Sequence, residues 1–164
     1  MKKLLLFVCT GNTCRSPMAE GLFRRLISED PGWNVDVLSA GIQAAPGAPA
    51  SAFAVRAAAA EGVDIGNHRA RPLTAELAGR ADAIVVMTAV HREEVFRLLP
   101  SGGAEVLLLR DLLPPGDPRA GTDFPDPFGG SLEEYQATFR EIAEALSEGR
   151  RRLTRLLRRS PGGE

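Results

Sequence analysis

Short apolar runs recur along the chain and predict its strands. Four of them are Leu4–Val8, Val35–Leu38, Ala83–Met87 and Val106–Leu109, and Asp36 is the one polar residue within them. Largely apolar runs of this length are typical of strands that are buried on both faces, as in parallel sheets. The pattern therefore predicts a four-stranded parallel sheet.

Helical patterns fill the segments between these runs. Helices are predicted at residues 17–28, 51–61, 74–78 and 89–99, and a last helix is predicted from the Ser131 cap to about Arg159. Ser16 is the predicted N-cap of the first helix, and Pro17 is its predicted first residue. Because strands and helices alternate, the predicted class is α/β with helices on both faces of the sheet.

Two segments fall outside this simple alternation. Residues 110–130 are rich in proline, glycine and aspartate but show no helix or strand pattern. Loops of that length in a compact domain are usually functional. The arginine-rich end of the last helix, "GRRRLTRLLRR", suits the negative end of a helix dipole, so it is either a solvated helix end or a docking surface for an acidic partner.

Composition narrows the classes of protein that fit. With 164 residues, 44% of them hydrophobic, we expect a single domain over 1–164 with a frayed tail from about residue 158. A net charge of −1 offers no general attraction to nucleic acid or to acidic membranes. The apolar run after Lys3 is too short for a secretion signal, and no later run approaches a membrane span. We therefore expect a cytoplasmic protein with reduced thiols and without nucleic-acid or membrane partners.

Both cysteines, Cys9 and Cys14, lie in one tight turn, "VCTGNTCRSPMAEG" at residues 8–21. The turn leaves the carboxyl end of the first strand and enters the first helix, so the N–H groups of residues 10–15 can converge on one anion. Gly11 would let the chain turn tightly. This field would hold Cys9 as the thiolate that attacks phosphorus, and Arg15 would offer paired donors to phosphoryl oxygens. The sequence predicts a phosphate-binding loop after strand 1.

Four segments together resemble the low-molecular-weight protein tyrosine phosphatases: "VCTGNTCRSPMAEG", "SAG" at 39–41, "ADAIVVMT" at 81–88 and "DPFGGSLEEY" at 126–135. The resemblance implies that Cys9 is the nucleophile and Arg15 the phosphate clamp. It also implies that Ser16 stabilises the thiolate as leaving group, and that Asp126 is the general acid and then the base. Asp123 is the competing candidate for the acid. No metal or cofactor is expected.

The same resemblance implies supporting roles for other residues. Asn12, Ser39 and His68 are expected to form a hydrogen-bond network that holds the loop, although His68 fits an ordinary surface position equally well. Cys14 is either a small buried hydrophobic residue or a resolving thiol that traps oxidised Cys9 as a disulfide. The residues expected to bind the phosphoryl group or the rest of the substrate are Thr10, Gly11, Asn12, Thr13, Cys14, Arg15 and Phe128.

Thr13 bears on the choice of substrate. Tyrosine-directed members usually carry a bulky aliphatic residue there, and the "CTGNTCRS" form resembles the protein arginine phosphatase branch. A smaller, polar side chain suits an extended phosphoguanidinium better than a phenyl ring. Phe128 departs likewise from the tyrosines that often follow the acid, and ionised Asp126 can pair with a cationic substrate. We expect phosphorylated proteins as partners, with phosphoarginine hydrolysed and phosphotyrosine as the alternative.

Three further functions fit parts of the pattern. An arsenate reductase has a near-identical loop but needs additional cysteines, and this chain has none beyond Cys14. A phosphocysteine carrier would not need Arg15 or the "DPF" acid to discharge onto water. A pure anion-binding module leaves Cys9 unexplained.

Overall fold

The computed structural model describes residues 2–99 and 103–158. Four strands form one parallel sheet in the order β2-β1-β3-β4: β1 (Lys3–Cys9), β2 (Val35–Gly41), β3 (Ala83–Val86) and β4 (Glu105–Leu108). The helices are α1 (Arg15–Ser28), α2 (Ala52–Ala60), α3 (Ala75–Arg80), α4 (Ala89–Leu98), α5 (Leu132–Glu148) and α6 (Arg150–Arg158). The predicted four-stranded parallel α/β sheet is confirmed. Within the described ranges, no helix combines the length and the apolar character that a membrane crossing requires.

The core lies in two layers, one on each face of the sheet. Because side chains alternate along a strand, Leu5 and Phe7 of β1 face one layer, and Leu6 and Val8 face the other. The first layer contains residues from α1, α2, α5 and α6, and the second contains residues from α3 and α4. Cys9 continues the alternation on the side of Phe7, so its thiol is directed towards α1.

Two helix predictions are wrong in detail. Helix α1 begins at Arg15 with Cys14 in the cap position, so Ser16 is not the N-cap and lies inside the first turn. The predicted last helix is two helices separated at Gly149, where an added Cβ would come within 2.5 Å of Leu112 Cβ. The chain therefore changes direction where it packs closely on the segment after β4. The predicted helix end at Arg159 and most of the predicted frayed tail lie outside the described residues.

Helix α6 packs more closely than an arginine-rich sequence suggests. Leu153 and Leu157 are buried in the core, Arg150 pairs with Asp30 at 3.3 Å, and an Arg152 guanidinium nitrogen lies 3.8 Å from Glu105. These contacts leave both earlier interpretations of the segment open, because the paired arginines are still more than one-third exposed.

The long connection after β4 begins with a 3-10 helix (Leu109–Leu112) that the sequence pattern did not reveal. Its remainder is anchored to the end of β3. The N–H of Phe124 donates to Met87 O at 2.8 Å, and Asp123 Oδ1 accepts from the Ala89 N–H at 2.9 Å. Arg110 donates to Asp123 O at 2.7 Å. The loop is thus held beside the carboxyl ends of β1 and β3.

Candidate active site

A cavity of about 220 Å³ opens at the carboxyl end of β1. Eight residues line it: Cys9, Thr10, Gly11, Thr13, Cys14, Arg15, Asp126 and Phe128. Six belong to the turn between β1 and α1, and two belong to the long connection after β4. The structure therefore brings the two candidate segments of the sequence together around one small space. In parallel sheets, ligands bind outside this same edge, at the carboxyl ends of the strands.

Cys9 lines this cavity, and Ser16 is its buried hydrogen-bond neighbour. The Ser16 Oγ is 2.8 Å from Cys9 Sγ, and both residues are almost fully buried. Asn12 Nδ2 donates to the same Ser16 oxygen at 2.9 Å. Because that oxygen already accepts a hydrogen bond, its own proton is free to be donated to sulfur. Ser16 therefore lies inside the first turn of α1, in hydrogen-bond contact with Cys9 Sγ, rather than capping the helix.

Asn12 is the residue on which the loop conformation depends. Its φ of 57° is the only positive value among the described non-glycine residues. Asparagine tolerates this region better than most residues, but the conformation still costs energy that surrounding contacts must offset. Its amide donates to Ser39 Oγ at 2.9 Å, and its Oδ1 accepts from the Arg71 N–H at 2.9 Å. His68 Nε2 donates to the Asn12 carbonyl at 2.6 Å.

The loop carbonyls are bound from outside the loop. Four of them accept hydrogen bonds from other segments: those of Cys9, Thr10, Asn12 and Thr13. The donors come from the end of β2, from His68 and from the cap of α2. Because the C=O and N–H of one peptide point in opposite directions, these contacts direct the following N–H groups towards the inside of the loop. Such a concave row of N–H groups favours an anion.

The glycines of the region act differently from the sequence expectation. Gly11 does not have a positive φ, and a Cβ there would meet only Thr13 Oγ1 at 3.6 Å, so it is not the residue that makes the tight turn. Gly41 is the constrained one. A Cβ on Gly41 would lie 2.5 Å from Thr10 O and 2.9 Å from Asn12 N. The "SAG" segment thus needs glycine because the loop packs directly on it.

Arg15 and Asp126 face each other across the cavity. Arg15 is held by an Nη1 hydrogen bond to Phe124 O at 2.9 Å, and its Nη2 lies 3.5 Å from Asp126 Oδ2. Asp126 remains 46% exposed, whereas the Arg15 side chain is only 4% exposed. An accessible carboxyl therefore lies beside a buried guanidinium that a backbone carbonyl holds in place. Asp123, the competing acid candidate, is used in the backbone contact to Ala89 and does not line the cavity.

Cys14 lines the same cavity but has different polar neighbours from Cys9. Its Sγ lies 3.4 Å from both Ser51 Oγ and Tyr135 Oη, and the thiol is buried. Burial, followed by the hydrogen bond with Cys14, raises the pKa of Tyr135 to about 12, so this phenol keeps its proton. Sequence reasoning did not identify Ser51 or Tyr135, because their contacts with Cys14 join segments far apart in the chain.

His91 is a second residue that sequence reasoning missed. It lies in the first turn of α4, it is 2% exposed, and its Nε2 is 2.9 Å from Thr10 Oγ1. Burial, followed by the charge of Arg15, lowers the pKa of His91 to about 4 despite the opposing effects of Asp123 and Asp126. The only sequence signal was its place one turn after β3, at the sheet edge where ligands bind.

The rim of the cavity combines small and large side chains. Thr13 lines the wall, and Phe128 is 77% exposed at the mouth, where its N–H donates to Asp126 Oδ1 at 3.1 Å. Among the described residues, no group of three or more His, Cys, Asp or Glu side chains is arranged to hold a metal ion. The expectation of a metal-free reaction remains a prediction.

Comparisons with known proteins agree with this geometry. A protein-arginine-phosphatase of Bacillus subtilis is 40% identical over 144 residues, covering 88% of this chain and 92% of the relative. A probable low molecular weight protein-tyrosine-phosphatase, EpsP of Ralstonia nicotianae, is 38% identical over 149 residues, covering 91% and 92%. A solved mutant of the YwlE arginine phosphatase, with a phosphorylated active-site serine, matches with a TM-score of 0.80 at 36% identity, covering 93% of this chain and 99% of that one.

A family model gives the same result over nearly the whole chain. It is described as low molecular weight phosphotyrosine protein phosphatase and matches residues 4–159. The match includes the loop after β1, the Gly41 contact and the connection that carries Asp126. The chain belongs to the low molecular weight phosphotyrosine protein phosphatase family.

Proposed function

We propose that this chain is a cysteine-dependent protein phosphatase that hydrolyses phosphoarginine in proteins through a cysteinyl-phosphate on Cys9. The observation that carries the proposal is the 2.8 Å contact between Cys9 Sγ and Ser16 Oγ, with Cys9 lining a cavity that Arg15 and Asp126 also line. A pure anion-binding module would not need a thiol there. The phosphatase names of the relatives favour hydrolysis over the reductase and carrier alternatives.

The first step transfers the phosphoryl group to sulfur. The Cys9 thiolate attacks phosphorus in line with the P–N bond, while Arg15 and the loop N–H groups bind the three equatorial oxygens. The S–P bond forms as the P–N bond breaks. Asp126 gives its proton to the departing nitrogen as the P–N bond breaks, so the phosphoguanidinium leaves as a guanidinium cation.

The second step restores the enzyme. A water molecule attacks phosphorus while Asp126, now ionised, accepts one of its protons. The S–P bond breaks, inorganic phosphate leaves, and the Ser16 hydroxyl stabilises the released thiolate. The guanidinium and the loop N–H groups neutralise the developing charge in both steps, so the proposed reaction uses no metal or other cofactor.

The preference for arginine over tyrosine is supported by Thr13 rather than by overall similarity. The arginine and tyrosine phosphatase relatives are 40% and 38% identical, a difference too small to decide the substrate. Thr13 lines the cavity and leaves room where an aliphatic residue would pack against a phenyl ring. Tyrosine phosphatase activity is the second candidate, and the tyrosine-named relative supports it.

Thr13→Ile is expected to depress phosphoarginine turnover and to raise phosphotyrosine turnover. Isoleucine adds apolar volume to the wall and removes the hydroxyl, and a pocket methylene is worth about 1–3 kcal/mol in discrimination. The ratio of the two kcat/KM values should therefore shift by at least roughly tenfold. The measurement uses matched peptides at one pH, and Thr13→Ser is the control that keeps the hydroxyl. If the parent enzyme already prefers phosphotyrosine, the assignment of phosphoarginine as substrate is wrong, but the assignment as a phosphatase remains.

We also propose that the enzyme is redox-sensitive, with Cys14 as the resolving thiol. Both cysteines are free and line one cavity, and Cys14 is held by Ser51 and Tyr135. Peroxide oxidises the Cys9 thiolate to a sulfenic acid and is reduced to water. The Cys14 thiol then displaces a second water to form the disulfide. An enzyme that depends on a free thiol needs a reducing compartment, so we propose a cytoplasmic location. We also propose phosphorylated proteins as its partners, without nucleic acid or membranes.

Mild peroxide is accordingly expected to inactivate the enzyme reversibly, and a thiol reductant should restore the activity. Mass spectrometry of the inactivated protein should find one Cys9–Cys14 disulfide. In Cys14→Ser, where no second thiol is present, the same treatment should cause irreversible loss through sulfinic acid at Cys9. Equal recovery of parent and Cys14→Ser would show that Cys14 has no protective role.

A further inference from the structure

His91 is the most deeply buried titratable group beside the cavity that the proposed reaction does not use. The backbone N–H of His91 donates to Oγ1 of Thr88, the N-cap of α4, at 3.2 Å. The residue is almost completely shielded from solvent. Helix α4 follows β3, whose neighbour in the sheet is β1. The fold thus brings this imidazole to Thr10, the residue that follows Cys9.

The two ring nitrogens have different surroundings. Nε2 lies 2.9 Å from Thr10 Oγ1, whereas Nδ1 is buried and has no hydrogen-bond partner in the part of the chain that the structure describes. A proton on Nδ1 would therefore be a buried donor without an acceptor, and orphaned donors are rarer in proteins than orphaned acceptors. The proton is better placed on Nε2, from which it is donated to Thr10.

Burial, followed by the charge of Arg15, favours the same neutral form. Arg15 from the start of α1, together with Asp123 and Asp126 from the long connection, are the charged groups that act on the ring. Burial and Arg15 outweigh the two carboxylates, so the pKa of His91 falls to about 4. A neutral ring adds no second cation beside Arg15.

We propose that His91 is a positioning residue that donates its Nε2 proton to Thr10 Oγ1 and thereby commits the Thr10 hydroxyl proton to the cavity. The hydroxyl oxygen is then occupied as an acceptor, so its own hydrogen can be donated only to another group. Thr10 lines the cavity next to Cys9, where that group is a phosphoryl oxygen or the nucleophile's sulfur. His91 touches neither substrate nor sulfur and acts through Thr10 alone.

A double-mutant cycle tests this coupling, which rests on the proposed phosphatase function. His91→Leu and Thr10→Val should each lower kcat/KM on a phosphoarginine peptide by about tenfold, the size expected for one lost hydrogen bond in the transition state. The double mutant should be no worse than either single mutant. His91→Gln, whose amide nitrogen can replace Nε2, should recover most of the activity. Effects that multiply to about 100-fold in the double mutant, or no recovery with His91→Gln, would overturn the proposal.

The protonation of the His91 ring can be observed by NMR without a measurement of enzyme activity. The chain has two histidines, so ¹⁵N spectra of the histidine-labelled parent and of His68→Gln assign both rings. His91 should remain the neutral Nε2–H tautomer from about pH 8 to about pH 5. An Nδ1–H tautomer, or protonation near the ordinary histidine value, would overturn the proposal even if His91→Leu did not fold. A parent that shows the expected tautomer but releases no phosphate would instead reject the proposed function.

Discussion

Cys9→Ser is expected to lower turnover of a phosphoprotein by at least roughly 10⁴-fold, because an alcohol is a far weaker nucleophile than a thiolate in the same field. The binding of a phosphate analogue should remain measurable. The loop N–H groups and Arg15 do not depend on the sulfur, since outside donors hold the loop and Phe124 holds Arg15. The measurements are single-turnover kinetics and titration with an analogue.

Cys14→Ser is the matched control for this change. It replaces the other cysteine of the same loop by the same residue, but Cys14 Sγ contacts Ser51 and Tyr135 rather than Ser16. We expect a loss of less than about tenfold, the size of one perturbed hydrogen bond. If Cys9→Ser keeps activity within tenfold of the parent, Cys9 is not the nucleophile and the cysteinyl-phosphate pathway is wrong.

The two central strands of the sheet were predictable because they are buried on both faces. The runs at Leu4–Val8 and Ala83–Met87 lie within one or two residues of β1 and β3. The end of β2 was harder to predict, since Ser39 and Gly41 are small or polar residues that a search for apolar runs leaves out. They belong to the strand because Asn12 and the loop backbone pack on them. The break at Gly149 likewise depends on Leu112, a tertiary contact that no local pattern reveals.

The candidate site was likewise predictable only in part. The turn that carries Cys9 and Arg15 is continuous in sequence, so the spacing of its residues was enough to predict their chemistry. The conformation of the turn was not, because the positive φ belongs to Asn12 rather than to Gly11. Contacts from distant segments stabilise Asn12 in this conformation, because Ser39 and the Arg71 N–H bind its side chain. No sequence motif identified His91 either, because its contact with Thr10 joins distant segments of the chain.

Burial separates the two kinds of charged group in the site. Arg15 is fixed by Phe124 and almost fully buried, which suits a permanent cation that must bind phosphoryl oxygens without rearrangement. Asp126 is half exposed and lies 3.5 Å from that guanidinium, which suits a group that must exchange protons with a leaving group and with water. The rigid clamp and the accessible carboxyl together match the two halves of the proposed reaction.

Asp126→Asn is expected to lower turnover of phosphoarginine peptides by about 10²- to 10⁴-fold, the range for loss of a general acid. The amide cannot protonate the guanidine nitrogen as the P–N bond breaks. An aryl phosphate with a strongly acidic phenol, such as nitrophenyl phosphate, leaves without a proton. Its first step, seen as the burst of nitrophenol, should therefore be much less affected than phosphoarginine cleavage. Stopped-flow kinetics on both substrates measures the difference.

Asp123→Asn is the control that separates the two aspartates of this loop. Its Oδ1 accepts the Ala89 N–H, and an asparagine oxygen can accept the same bond, so the loop should keep its anchor. Because Asp123 does not line the cavity, Asp123→Asn should lose less than about tenfold on either substrate. If instead Asp123→Asn shows the large, leaving-group-dependent loss and Asp126→Asn does not, Asp123 is the acid. The loop would then have to rearrange when substrate binds, exchanging the Ala89 contact for the cavity.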